Sequence, residues 1–319
     1  MTHNPEWVLG QSKIGSITVG ELMAAFLEIK GQENKVTTVY TIRRYLKLHF
    51  LNVISEDRPV TSLTIKDFQK LRKSLIDSKM NQQNRVIAWV REMFVFCNNY
   101  FNFRVDGSFR LCKIKKSYSD LTYKKKQIYT YDQFKKFIKG VEDPLKLALF
   151  YCLYFLGLRV GEIRGLEWRD IISGRLYVNR TATSKLGNRK TNLLDPKSVN
   201  SVRSFKLPRF IFDLLLKVKE TSPGNFIFSV NENNPIGETS IQRYLMRQAK
   251  TAGLPYLHPH GWRHSCACYL VNVQNESLLN VSKWLGHRSV EITASVYVDL
   301  FPGEKEAISD RIEENIKKI

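Results

Sequence analysis

The run LALFYCLYFLGL, Leu147–Leu158, carries no charged residue. It falls far short of the roughly 20 apolar residues that span a bilayer, so it reads as a helix buried inside a domain, and no membrane segment is expected elsewhere. The N-terminal MTHNPEWVLGQSKIG lacks the apolar core of a signal peptide. The five cysteines, Cys97, Cys112, Cys152, Cys266 and Cys268, form no CxxC pair and no even framework, which suits reduced thiols and a cytoplasmic setting.

Upstream of that run the apolar spacing is helical. TVGELMAAFLEIKG places Leu22, Phe26 and Ile29 on one face and is expected to stop at Gly31. TVYTIRRYLKLHF is a basic helical segment. TIKDFQKLRKSL opens with Thr64 and Asp67 at capping-box spacing, and NRVIAWVREMFVFC buries Val86, Val90, Met93, Phe94 and Cys97. Four helices predict a small bundle over residues 14–112. In KIKKSYSDLTYKKKQ six lysines face one aspartate and no apolar period survives. Residues 113–128 therefore read as a basic linker, either a solvated tether or a segment that lies along a phosphate backbone.

A second domain is expected over residues 129–302, opening with a capping box at Thr130 and Gln133 before Phe134, Phe137 and Ile138. Helices near 145–156 and 160–167 lead into short β-like segments, RLYVNR, SVRSFKLP and NFIFSV, separated by Gly, Asn, Ser and Pro. Helical patterns resume at TSIQRYLMRQAKTAG. The fold class is mainly α with one small β-sheet. Residues 303–319 read as a tail helix, with Ile308, Ile312 and Ile316 expected on one stripe. A formal charge of +20 has no evident use in a small-molecule enzyme and points to a polyanionic partner, nucleic acid first, with a ribosome-associated or merely soluble basic protein as the other reading.

HPHGWRHSCACYL, His258–Leu270, concentrates the chemistry. Pro259 sits where a helix can begin, so His260, Arg263 and His264 share a face. Zinc is the rival guest, because His260 and His264 have the spacing of HExxH. Gly261 stands where that chemistry needs a glutamate, Arg263 would lie beside the cation, and Cys266 and Cys268 point to different faces. No metal and no other cofactor is expected. An anion suits histidine plus arginine better.

Two further stretches sharpen this. FLGLRVGEIRGLEWRDI carries Arg159 and Glu162; WLGHRSVEITASVYVDL carries His287 and, ten residues later, Tyr297. GLRxGE, HxxRH, LGH and the following tyrosine, in that order and spacing, resemble the tyrosine recombinases, in particular the phage and conjugative-transposon integrases. The resemblance covers nearly the whole chain. It implies a four-helix, SAM-like core-binding domain followed by a catalytic domain, and site-specific strand exchange through a 3′-phosphotyrosine link. Arg159 and Arg263 would clamp the phosphate, His260 and His287 would hydrogen-bond it, Glu162 would support the arginine, and Tyr297 would be the nucleophile. The family also uses a hairpin lysine. Lys185, Lys190 and Lys197 are available, and DPKSVNSVRSFKLP resembles the integrases' proline-lysine segment ahead of a serine-x-arginine strand, which favours Lys197.

The implied partners are double-stranded recombination sites, further copies of the chain as a tetramer on two duplexes, and accessory DNA-bending proteins, in a nucleoid setting. In the family the tail docks on a neighbouring protomer; folding back on its own domain is the other reading. The chain departs from the family at Gly261 and Trp262, where aspartate and leucine are common, which puts local packing in question. Relaxation of supercoils by a type IB topoisomerase-like enzyme and a DNA-binding regulator without activity are the competing functions.

Overall fold

The computed structural model describes residues 17–109, 111–113, 127–183, 192–194, 202–232 and 234–300. The chain divides into two compact units, Met1–Thr122 and Tyr123–Ile319.

In the front unit, α1 (Val19–Glu33) starts at a reciprocal cap: Glu21 N–H donates to Thr18 Oγ1 at 3.2 Å and Thr18 N–H donates to Glu21 Oε2 at 2.8 Å. Gly31 does not end this helix as expected. Lys30 pairs with Glu33 at 2.6 Å and with Glu92 at 2.5 Å, which supports the last turn, and the chain turns extended only at Asn34. α2 (Val36–Tyr45) runs into a π-helical turn, Leu46–Phe50. α3 (Ile65–Ser74) is capped by the Thr64–Asp67 box, and α4 (Met80–Phe101) precedes one short turn, α5 (Asp106–Phe109). The apolar stripes meet as their spacing requires. Leu22, Phe26, Ile29, Val86, Val90, Met93, Phe94 and Cys97 are all buried, and the Phe94 ring lies 5.3 Å from Phe68 and 6.1 Å from Phe50.

In the second unit, α6 (Tyr131–Ile138) begins at the Thr130–Gln133 box, and α7 (Pro144–Tyr154) is capped by Asp143, with Pro144 in its first turn. α7 contains the apolar run only as far as Tyr154; Leu156 and Leu158, beyond it, are also buried. Gly157 reverses the chain with φ +59, and a Cβ there would meet Leu285 Cδ2 at 2.4 Å. Then come α8 (Val160–Gly165), β1 (Ile171–Ile172), β2 (Arg175–Val178), β3 (Thr181–Thr183), β4 (Asn192–Leu194), β5 (Arg203–Lys206), α9 (Arg209–Thr221), β6 (Ser229–Asn231), β7 (Asn234–Pro235), α10 (Glu238–Thr251), α11 (Pro259–Asn272), α12 (Leu278–Leu285) and α13 (Val290–Leu300).

The expectation of a mainly α fold with a small β part holds. Among the described residues the strands form three small antiparallel sheets, β1-β2-β5, β3-β4 and β6-β7. Strands of two to four residues cannot build a wide sheet. Three of the four described ladders pair neighbours in sequence, and among them only β2–β5 joins distant strands, with Leu176 opposite Phe205. Most of NFIFSV is not strand. Ile227 and Phe228 are instead buried in the core. No helix among the described residues is long and apolar enough to cross a membrane.

Gly261 and Trp262 answer a packing demand. Trp262 is fully buried among Tyr129, Phe134, Phe137 and Phe150, its ring 4.7 Å from Phe137, and its Nε1–H donates to the Leu257 carbonyl at 3.2 Å. A Cβ at Gly261 would meet Leu257 Cδ1 at 2.4 Å, so the chain that seats this tryptophan leaves room there only for glycine.

Candidate active site

Arg159 caps α8. Its backbone N–H donates to Glu162 Oε2 at 2.9 Å and its Nη1 to Glu162 Oε1 at 2.7 Å. Its side chain is 37% exposed, enough to meet a ligand. Arg263, one turn into α11, is 2% exposed. Its Nη1 donates to the Gly157 carbonyl at 2.7 Å and its Nη2 to the Leu285 carbonyl. Each terminal nitrogen keeps a second N–H.

The end of α12 draws these groups together. Gly286 adopts a left-handed conformation, φ 65, and the N–H groups of Gly286 and His287 close back onto Lys283 and Ser282. That closure leaves three successive carbonyls for outside donors. Trp284 O accepts from Arg203 Nε at 3.1 Å, Leu285 O accepts from Arg263, and Gly286 O accepts from Arg159 Nη2 at 3.4 Å. A helix C-terminus carries partial negative charge and favours cations. Here it assembles three guanidiniums beside His287 without spending a carboxylate on each.

Glu162 is the carboxylate that is present. Burial would raise it, but hydrogen bonds from Arg203, the charges of Arg203 and Arg159 and the Arg159 backbone N–H outweigh burial and hold it at about 2. Burial, then the neighbouring Arg159, lowers the proton affinity of Arg263, with Glu162 opposing. His287 is pushed down to about 3 by burial first and then by Arg263, Arg159, His264 and His260, so it is neutral at pH 7. Its Nδ1 lies 2.7 Å from Thr293 Oγ1, a buried hydroxyl on α13. His260 is exposed near the start of α11, its ring edge-on to His264 at 4.6 Å.

Arg159, Glu162 and Arg263 thus lie within electrostatic reach of one another, and His287 within reach of both arginines and of His260. Tyr297 falls on α13, the helix that carries Thr293; its side chain lies outside the described part, as do Lys185, Lys190, Lys197, Ile308, Ile312 and Ile316. Among the described residues no group of three or more His, Cys, Asp or Glu is placed to hold a metal. Sequence reasoning missed Arg203 as a site residue, along with Trp284 and Thr293. The serine-x-arginine strand served only as a landmark for the lysine.

The family model described as "Phage integrase family" matches residues 127–304. The chain belongs to the phage integrase family. This integrase-family chain is 26% identical over 322 residues to a "Tyrosine recombinase XerC-like" protein of Caldanaerobacter subterraneus, covering 91% of this chain and 81% of that protein. It is 26% identical over 295 residues to the ICEBs1 integrase of Bacillus subtilis, covering 86% and 76%. In fold it resembles the Tn1549 transposon integrase solved with transposon right-end DNA, TM-score 0.67 at 17% identity over 92% of this chain and all of that one. It also resembles a lambda integrase dimer bound to a core site, TM-score 0.65 at 18% identity over 93% and 82%. It is a tyrosine recombinase, and its class of reaction is site-specific DNA recombination.

Proposed function

We propose that this recombinase cleaves and rejoins double-stranded DNA with Arg159 and Arg263 gripping the scissile phosphate, His260 and His287 hydrogen-bonding it, and Tyr297 attacking. The observation that carries the reading is the set of three arginines on the carbonyls of Trp284, Leu285 and Gly286, next to a neutral His287. Charge builds on the phosphoryl oxygens as the pentavalent transition state forms, and guanidiniums already in place stabilise it without reorganising. The Tyr297 oxygen forms the new bond to phosphorus, the bond to the 5′ oxygen breaks, and Lys197 supplies the proton that this oxygen takes up. His260, at the exposed start of α11, takes the tyrosine proton. The resulting 3′-phosphotyrosine keeps the energy of the phosphodiester, so a 5′ hydroxyl of a second duplex reverses the step without ATP, and the arginines take the place of a metal.

Exposed Lys35, Arg43, Arg44 and Lys47 on and just beyond α2 give the front unit, the core-binding domain of this reading, a basic surface for phosphates. Exchange between two duplexes calls for several copies. A lambda integrase tetramer bound to a Holliday junction, TM-score 0.64 at 20% identity over 93% of this chain and 81% of that one, is among its structural relatives, and the isoleucine tail docks in trans in such an assembly.

Two variants test the roles. Tyr297→Phe is expected to bind a recombination site yet form no covalent complex on nicked suicide substrate. Lys197→Ala is expected to fail on ordinary DNA but to cleave a 5′-bridging phosphorothiolate near the intact rate, because a thiolate leaves without a proton. Covalent trapping of Tyr297→Phe overturns the nucleophile. Rescue of Lys185→Ala or Lys190→Ala in place of Lys197→Ala moves the acid elsewhere.

A further inference from the structure

Arg203 on β5 has its side chain 7% exposed. Its Nη1 donates to Glu162 Oε1 at 3.1 Å, its Nη2 to Glu162 Oε2 at 2.8 Å and its Nε to the Trp284 carbonyl at 3.1 Å. The guanidinium lies over the Phe205 ring at 5.3 Å, and that ring packs 4.6 Å from Trp284. A side chain enclosed and bonded in this way is not placed to touch DNA.

It governs two groups that are. Each Glu162 oxygen that takes an Arg203 bond also takes one from Arg159. A carboxylate held by Arg159 alone would cancel that arginine's charge. Shared between two guanidiniums, it fixes Arg159 and still leaves positive charge for an incoming phosphate. The bond to Trp284 O ties β5 to the α12 end, whose next two carbonyls hold Arg263 and Arg159 and whose next side chain is His287. We propose that Arg203 is a positioning residue for the cleavage step, fixing Arg159 through the shared Glu162 carboxylate and the His287 turn through the Trp284 carbonyl while touching no substrate atom. This rests on the reading that Arg159 and Arg263 grip the scissile phosphate.

The test is single-turnover formation of covalent complex on nicked suicide substrate, with single-site DNA affinity measured alongside. Arg203→Met is expected to slow the covalent step about 100-fold, the scale of a displaced catalytic group, with affinity unchanged within about threefold. The pH dependence separates positioning from general damage. Glu162 faces Arg159 at the cap of its own helix, Arg203 on β5 and Arg263 on α11; Arg263 in turn faces Cys266 and His287, and His287 faces His260 and His264. Without Arg203 its burial dominates and it takes up a proton at higher pH. The deficit of Arg203→Met relative to the intact chain should therefore widen as pH falls from about 7 to about 5, and stay constant when both carry Glu162→Gln.

Arg203→Lys keeps the charge but cannot reach three acceptors, so it should lose about tenfold with a deficit independent of pH; it also carries the test if Arg203→Met does not fold. The Arg203→Met and Glu162→Gln losses should not add. Rates near the intact one in both Arg203 variants, additive losses, or affinity falling in step with rate would each overturn the proposal while leaving the phosphate grip standing. Failure of the intact chain to form a covalent complex would overturn the grip itself, and the proposal with it.

Discussion

Among the described charged side chains of the front unit only Asp67 is buried, whereas the second unit buries Glu162, Arg164, Glu167, Asp170 and Arg263. Asp67 sits in a helix cap and pairs with Arg58, nine residues away, at 2.6 Å. In the second unit Asp170 and Glu167 also pair locally, with Arg180, but the ions around Arg159 join elements far apart in sequence: Arg203 reaches Glu162 across 41 residues and Arg263 reaches Gly157 across 106. Burying a charge costs free energy unless partners replace water, and apolar residues of similar volume often do the same structural job as well or better. The interior of the front unit, which needs only shape, is built from aromatic and aliphatic packing. In the second unit the buried Glu162 and Arg263 lie in the proposed phosphate grip, where charge would already be in place.

The largest effect should come from Arg263→Met, which removes the more buried arginine of the proposed grip. Covalent-complex formation is expected to fall about 10³-fold. Melting of the second unit should drop by about 1–3 kcal/mol, because the Gly157 and Leu285 carbonyls lose their donor. The matching lesion in the front unit is Phe94→Ala, expected to cost about 3–5 kcal/mol there through the cavity left between Phe50 and Phe68. Below its melting point this variant should cleave within a few-fold of the intact chain. If it loses as much cleavage as Arg263→Met, the division of labour between the units fails.

Acid sharpens the contrast next. The Glu162 carboxyl is held at about 2 against an ordinary 4.5, and Asp67 at about 2 against 3.8. Both are depressed, so their stabilisation is complete above the ordinary value and is lost as pH falls from about 5 toward 2. For buried Glu162 this amounts to about 3 kcal/mol. For Asp67 it is about 1–2 kcal/mol, since Arg58 is 33% exposed and water screens the pair. Glu162→Gln should flatten the acid slope of the second unit alone and Asp67→Asn that of the front unit alone, read by calorimetry from pH 6 down. The smallest change is expected from Thr18→Ala and Thr130→Ala, each costing about 1 kcal/mol in its own unit through a lost cap.

Much of this was legible because it is local. The Thr64–Asp67 and Thr130–Gln133 boxes sit at a fixed spacing and both form, and the stripe through Val86, Val90, Met93 and Phe94 is buried as its period demands. The motifs holding Arg159, Glu162, Arg263 and His287 pointed to one place, and the structure brings these residues together. What stayed hidden depends on backbone groups or distant partners. The carbonyls of Trp284, Leu285 and Gly286 have no residue-type signature. Thr293 looks like any β-branched helix residue until its hydroxyl meets His287. Gly31 reads as a stop signal, yet the Lys30 pairs with Glu33 and Glu92 support a turn that spacing alone could not foresee.

The central claim is that a preorganised arginine site, and no metal, carries the charge of the cleavage step. A time course of covalent-complex formation on nicked suicide substrate in excess EDTA tests it most directly, with the intact chain beside Arg263→Met. The account predicts an undiminished rate for the intact chain and a rate about 10³-fold lower for the variant, each unaltered by added magnesium or zinc. An intact chain that stalls in EDTA and recovers with either metal, or an Arg263→Met chain that keeps pace with it, would contradict the account.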